Sequence, residues 1–216
     1  MSFSSRVKEE LVSHAGTARH CQIAEIAAMI SLCGRIVELR RKKLVIIHTE
    51  NISVAKKYFT LMQKTFSIVA DVSVRRNAYL KKSRIYTLAV QEETDVMRVT
   101  EALKLEGITG YLNEQDFLVN GLLVQSSCCK RAFIRGAFLT AGSVTDPKKS
   151  YHLEIVFTRE KKALALQEML GVFGIDAKVV VRKKYFVLYI KEGRLIVDIL
   201  NVMEAHISLM VLENVR

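Results

Sequence analysis

The chain has 216 residues, half of them hydrophobic, and a formal net charge of +11 at pH 7. That is enough apolar material for one large core or two small ones, and low-complexity tracts are absent. No apolar run reaches the length of a membrane span, and the opening Met-Ser-Phe-Ser-Ser-Arg-Val-Lys-Glu-Glu lacks the apolar centre of a secretion signal. The expected protein is therefore soluble and cytoplasmic. Its basic excess is +7 before Ile108 and +4 after that point, so it is spread through the fold and not held in a tail. A folded basic protein of this kind faces phosphate, with nucleic acid ahead of anionic membrane.

In chain order, a short helix opened by Ser4 or Ser5 is expected over residues 6–13, then a helix over 21–32 that stops at Gly34. Strands at 35–39 and 44–49 flank the basic turn Arg40-Arg41-Lys42-Lys43. Apolar residues at helical spacing predict a helix over 53–66. Strands at 68–74 and 84–91 flank a second basic turn (Arg75, Arg76, Lys81, Lys82, with Arg84 beside it), and a helix over 94–105 closes the unit. The same order returns after residue 127. A helix over 128–140 ends at Gly142, and a strand near 143–144 leads through Asp146-Pro147-Lys148-Lys149 to a strand at 151–158. A helix over 161–173, a hairpin of 177–181 and 185–190 across Arg182-Lys183-Lys184, and one long helix over 194–212 complete it.

The chain thus reads as one αββαββα unit written twice: an N-terminal helix (1–17), a first repeat (18–106), a linker (107–127) and a second repeat (128–216). The expected class is α+β, with a four-stranded antiparallel sheet per repeat and helices on one face. The clearest evidence of duplication is Ile26-Ala-Ala-Met-Ile-Ser-Leu-Cys-Gly34 against Ile134-Arg-Gly-Ala-Phe-Leu-Thr-Ala-Gly142, which start 108 residues apart. Ala24, Ala28 and Leu32 form one stripe, with Ala132, Gly136 and Thr140 at the same offset, so two helices are expected to approach closely about a pseudo-twofold axis.

These features resemble the LAGLIDADG homing endonuclease fold, and more specifically the WhiA family of bacterial regulators, which carries a degenerate form of it. The resemblance rests on Ser2-Phe-Ser-Ser-Arg-Val-Lys-Glu-Glu-Leu11, Cys128-Cys-Lys-Arg-Ala-Phe-Ile-Arg-Gly-Ala-Phe-Leu-Thr-Ala-Gly-Ser143, Asp146-Pro-Lys-Lys-Ser-Tyr-His-Leu-Glu-Ile155 and the closing Leu-Glu-Asn-Val-Arg. It implies transcription control linked to sporulation and cell division, association with the nucleoid, and a helix-turn-helix domain that is not seen before Arg216.

In the nucleases of this fold, an acid before the last glycine of each motif holds divalent metal. Here those positions are Cys33 and Ala141. A neutral thiol is a poor ligand for Mg²⁺ and a methyl group is none, so no catalytic residue and no cofactor is expected. Glu38 and Asp146 are weak substitutes, the latter expected to cap its own turn. Cys21, Cys33, Cys128 and Cys129 form no Cys-x-x-Cys pair, which argues against zinc.

All four expected hairpins carry Lys or Arg at the turn. Arg40, Arg41, Lys42, Lys43, Arg75, Arg76, Lys81, Lys82, Arg84, Lys148, Lys149, Arg182, Lys183 and Lys184 are therefore the candidate phosphate contacts to double-stranded DNA. Arg35, His152, Lys178 and Tyr189 are candidates for base edges, depending on the face they take. The alternatives are a protein-interaction scaffold, recruiting transcription machinery or another regulator while an appended domain reads DNA, and a residual metal-dependent nuclease.

Overall fold

The computed structural model describes residues 2–14, 16–39, 42–76, 84–115 and 119–215. Helix α1 (Phe3–Ser13) starts three residues earlier than expected, because Ser2 and not Ser4 or Ser5 is its N-cap, accepting from the Ser5 amide at 3.1 Å. Phe3 thereby becomes a buried helical residue. Then follow α2 (Arg19–Cys33), β1 (Gly34–Leu39), β2 (Lys42–Thr49), α3 (Ile52–Phe66), β3 (Asp71–Arg76), β4 (Arg84–Val90) and α4 (Glu93–Ala102). A short strand, β5 (Gly110–Tyr111), and two 3-10 turns occupy the stretch expected to be a plain linker. The second repeat runs α5 (Ser127–Ala141), β6 (Gly142–Val144), β7 (Leu153–Phe157), α6 (Glu160–Gly171), β8 (Lys178–Arg182), β9 (Tyr185–Ile190), α7 (Gly193–Val202) and α8 (His206–Glu213).

Both sheets are antiparallel, in the order β3-β4-β2-β1-β5 and β6-β7-β9-β8. The first therefore has five strands and not four. β5 covers the outer edge of β1, with Arg35 opposite Tyr111, and the guanidinium donates to the Tyr111 hydroxyl at 2.9 Å. Pairing removes an open edge that would otherwise invite association. The strand expected at 68–74 begins later, at Asp71. Ser67 ends α3 in a left-handed conformation (φ 59°), and Ile68 and Ala70 are spent as buried connectors.

The long helix expected over 194–212 is broken at Glu204, which has φ 66°. The local bend costs about 1–2 kcal/mol for a non-glycine residue. It places the Glu204 carboxylate 2.6 Å from Arg135 and 2.5 Å from His14, contacts a continuous helix would not make. α8 restarts with its amides at Ile207 and Ser208 received by the Glu10 carboxylate of α1, at 2.7 and 2.9 Å.

Each sheet packs one face on its own core. Beneath the first lie Ile36, Val45, Ile47, Tyr58, Leu61, Leu88 and Val99. Beneath the second lie Phe138, Leu153, Ile155, Leu166, Leu188 and Ile199, joined by Phe3, Val7 and Leu11. The N-terminal helix thus belongs to the core of the second repeat.

α2 and α5 form the seam between the repeats. Equivalent residues meet there: Cys21, Ala24, Cys129 and Ala132 make one small cluster, as a pseudo-twofold axis requires. A Cβ added at Gly136 would lie 2.7 Å from the Glu25 carbonyl oxygen and 3.0 Å from the Ala28 methyl. The offending atom is facing backbone, which cannot rotate away. Gly136→Ala is expected to destabilise by about 1–3 kcal/mol, read as a lower urea midpoint at unchanged m-value.

Candidate nucleic-acid interface

Strand pleating and burial assign each side chain to one face. In the first sheet Ile36, Val45, Ile47, Leu88 and Val90 face the helices. Their neighbours Arg35, Val37, Leu39, Lys42, Leu44, Ile46, His48, Arg75, Ile85 and Thr87 take the opposite face. In the second sheet Glu154, Val156, Lys178, Val180, Arg182, Tyr185 and Tyr189 take it. Three of the base-edge candidates, Arg35, Lys178 and Tyr189, therefore stand on the faces away from the helices. His152 stacks on Tyr189 with ring centroids 6.2 Å apart.

The phosphate candidates divide by position. Lys42, Arg75 and Arg182 are exposed on the outward faces. Lys43, Arg76 and Arg84 have the opposite parity but lie at strand ends beyond the cores, also exposed. Lys148 and Lys149 sit in the turn before β7, where the Asp146 carboxylate accepts from the Lys148 amide at 3.0 Å. That bond engages Asp146 as the turn cap the sequence suggested. Lys183 and Lys184 are the two-residue hairpin turn, Lys183 holding φ 56°. Arg40, Arg41, Lys81 and Lys82 lie outside the described residues.

Local electrostatics are uneven. Arg76 and Arg84 are direct cross-strand partners on a two-stranded edge, an arrangement that is repulsive unless an anion sits between or above them. Arg182 reaches Glu154 at 3.3 Å and Lys178 pairs with Asp176 at 2.7 Å, so the second sheet neutralises part of its charge. Arg35 lies over the Tyr111 ring, and its Nε has no hydrogen-bond partner among the described residues. His48 donates to or accepts from Thr87 at 2.9 Å. Burial first, and Arg35 second, hold its pKa below the ordinary value of 6.5. Between the basic ends, Val37, Leu44, Ile46 and Ile85 make an apolar strip.

At the foot of the seam the two motif ends are chemically blank. Cys33 is the last residue of α2 and its thiol donates back to the Met29 carbonyl at 3.2 Å, with burial pushing its pKa up to about 12. Ala141 is the last residue of α5. The glycines that follow are required by space: a Cβ at Gly34 would lie 2.5 Å from the Ile30 carbonyl oxygen, and one at Gly142 2.7 Å from that of Phe138. Glu38 is exposed and sits opposite Lys43 across the strand pair.

Two groupings are not legible from the sequence. One is a buried ion network across the seam. Glu25 binds Lys57 at 3.1 Å and Arg135 at 3.2 Å, and Arg135 continues to Glu204. The only hint in the sequence is a charged residue inside each apolar helix. The other concerns the cysteines. No ligand spacing occurs within either repeat, yet pairing of α2 with α5 gathers His20, Cys21, Cys128 and Cys129 into one cluster.

Among the described residues no helix is long and apolar enough to cross a membrane. Residues 19–106 match the WhiA N-terminal LAGLIDADG-like domain and residues 130–216 the WhiA LAGLIDADG-like domain. A "Probable cell division protein WhiA" from Lachnoclostridium phytofermentans is 49% identical over the whole chain, which covers 69% of that protein. Full-length DUF199/WhiA from Thermatoga maritima superposes with TM-score 0.76 at 22% identity, covering 100% of this chain and 66% of that one. The homing endonuclease I-DmoI in complex with DNA and Mn superposes with TM-score 0.61 at 14% identity, covering 86% of this chain and 97% of that one. The chain spans about two thirds of the length of the relatives it matches. With tandem family domains and that identity along its whole length, the chain belongs to the WhiA cell division protein family and carries its LAGLIDADG-like fold.

Proposed function

We propose that this chain is the DNA-binding regulatory part of a transcription regulator acting in sporulation and cell division, in which the homing-endonuclease scaffold is kept and the cleavage chemistry is lost. The two repeats, 18–106 and 128–216, bind double-stranded DNA as one body, joined by 107–127 and preceded by the helix in 1–17. The observation that carries this reading is the facing pair Arg76 and Arg84 at a sheet edge, two like charges that phosphate would relieve. Further exposed cations stand at the other described hairpin ends: Lys42, Lys43, Lys148, Lys149, Arg182, Lys183 and Lys184.

The outward faces supply few side chains able to read bases, so most of the affinity is assigned to phosphate contacts with little sequence information. Fluorescence anisotropy on duplex DNA tests this. Binding at low salt that falls steeply and log-linearly with added salt supports it, and no binding to the fragment at low salt overturns it. Cys33 and Ala141 predict that supercoiled plasmid stays intact with Mg²⁺ or Mn²⁺. Nicking that tracks with purified protein and is lost in Glu38→Ala or Asp146→Ala would restore the nuclease reading.

A second reading, a scaffold that docks a partner protein such as transcription machinery or another regulator, is favoured by one observation. Val37, Leu44 and Ile85 are half-buried on the outward face around the buried Ile46, with Leu39 60% exposed at its end.

A further inference from the structure

At the opposite end of the seam from Cys33 and Ala141, His20 and Cys21 are the second and third residues of α2, while Cys128 and Cys129 are the second and third of α5. The four form two symmetry-related pairs, His20 with Cys128 and Cys21 with Cys129, each separated by 108 residues in the chain. Their ligand atoms all lie within 4.8 Å of one another, and the Cys128 Sγ is 3.4 Å from the His20 Nε2. In a tetrahedral zinc site, metal–sulfur bonds of about 2.3 Å and metal–nitrogen bonds of about 2.0 Å put ligand atoms roughly 3.5–3.8 Å apart. The cluster is within about 1 Å of that, and its exposed members can close the difference by rotation.

Burial differs across the set in a useful way. Cys21 and Cys129 are buried against Ala24 and Ala132, while His20 and Cys128 are exposed. A cavity of about 330 Å³, lined in part by Gly16, Ala18, His20, Cys128 and Arg131, opens onto them from solvent. Three thiolates around a divalent ion leave one net negative charge. The four residues lie in the first turns of α2 and α5, and Arg131 and Arg135 line the same opening together with Glu204, so helix N-termini and guanidinium groups are placed to offset the charge. Soft thiolate ligands with one imidazole select zinc over magnesium or calcium.

We propose that His20, Cys21, Cys128 and Cys129 bind one Zn²⁺-class ion in a closed four-ligand site that pins the two repeats together at the head of their paired helices. On binding, the three thiols release three protons to solvent and neutral His20 coordinates through Nε2. The role is structural, since all four positions are taken by protein.

Co²⁺ added to the reduced, metal-free 216-residue chain tests this. The expected result is one equivalent bound, with the strong visible bands and near-ultraviolet thiolate charge transfer of a tetrahedral site, displaced by Zn²⁺. Zn²⁺ should also raise Tm. His20→Ala and Cys128→Ser change exposed side chains, so circular dichroism should show an intact fold. Each should abolish the tetrahedral spectrum and the Tm rise, while Cys33→Ser keeps both. Absence of the bands when thiol titration shows all four cysteines reduced overturns the proposal. So does a spectrum that survives in the His20→Ala/Cys128→Ser double variant. A disulfide among Cys21, Cys128 and Cys129 that forms readily and persists in the presence of Zn²⁺ would equally overturn it.

Discussion

Glu25→Ala is expected to lower the unfolding free energy by about 3–5 kcal/mol, a larger effect than that of Gly136→Ala at the same seam. Glu25 is 1% exposed and is the carboxylate bound by two buried cations, Lys57 and Arg135. Lys57 also donates to the Leu11 and His14 carbonyls, so it cannot swing out to water without leaving those oxygens unpaired. Burial already pulls the Lys57 pKa below its ordinary value, and Glu25 opposes that shift. Removing the carboxylate strands the Lys57 charge in an apolar seam and leaves Arg135 with Glu204 as its one carboxylate partner among the described residues. Urea denaturation followed by circular dichroism measures the effect. Replacing all three groups together (Glu25→Leu, Lys57→Met, Arg135→Leu) should recover part of the stability, because it removes the stranded charges while leaving the Leu11, His14 and Met203 carbonyls without these donors. If Glu25→Ala alone shifts the midpoint no more than a surface substitution does, the network is not holding the repeats together.

The second large effect concerns binding. Replacing Arg76, Arg84, Arg182, Lys183 and Lys184 with serine or glutamine should weaken duplex DNA binding on the order of a hundredfold at moderate salt. The slope of log K against log salt should become shallower by about 0.9 for each phosphate that is no longer neutralised. The same substitutions should not harm the fold. Arg76 and Arg84 oppose each other across β3 and β4, so neutralising both should stabilise by about 0.2–1 kcal/mol. Opposite signs for affinity and stability would mark a surface that tolerates self-repulsion because a polyanion relieves it. Unchanged binding would transfer the DNA-reading role to a part of the protein beyond these hairpins.

Much of this architecture is written locally. Helix periods, the glycines after each seam helix and the basic turns are readable in order along the chain, and the folded elements fall within a few residues of their expected positions. Local caps at Ser2 and Ser67 shift the starts of α1 and β3, and the larger departures share another cause, a long-range partner. Glu204 breaks a helix because Arg135 and His14 receive its carboxylate, and residues 110–111 become a strand because β1 had an unpaired edge. The same holds for α1, whose apolar stripe says only that it packs somewhere; that it completes the core of the second repeat depends on the path of the whole chain.

By itself the sequence determined the duplication and the close-packed seam built on Ala24, Ala28, Ala132 and Gly136. Those are properties of residue identity at a regular offset, and they need no partner to be read. Only the tertiary structure decided which face Arg35, Lys178 and Tyr189 take, where Glu25 finds its cations, and that His20, Cys21, Cys128 and Cys129 meet. Each of those depends on packing between elements distant in the chain, which at the seam brings residues about half a chain apart together and leaves no trace in local spacing.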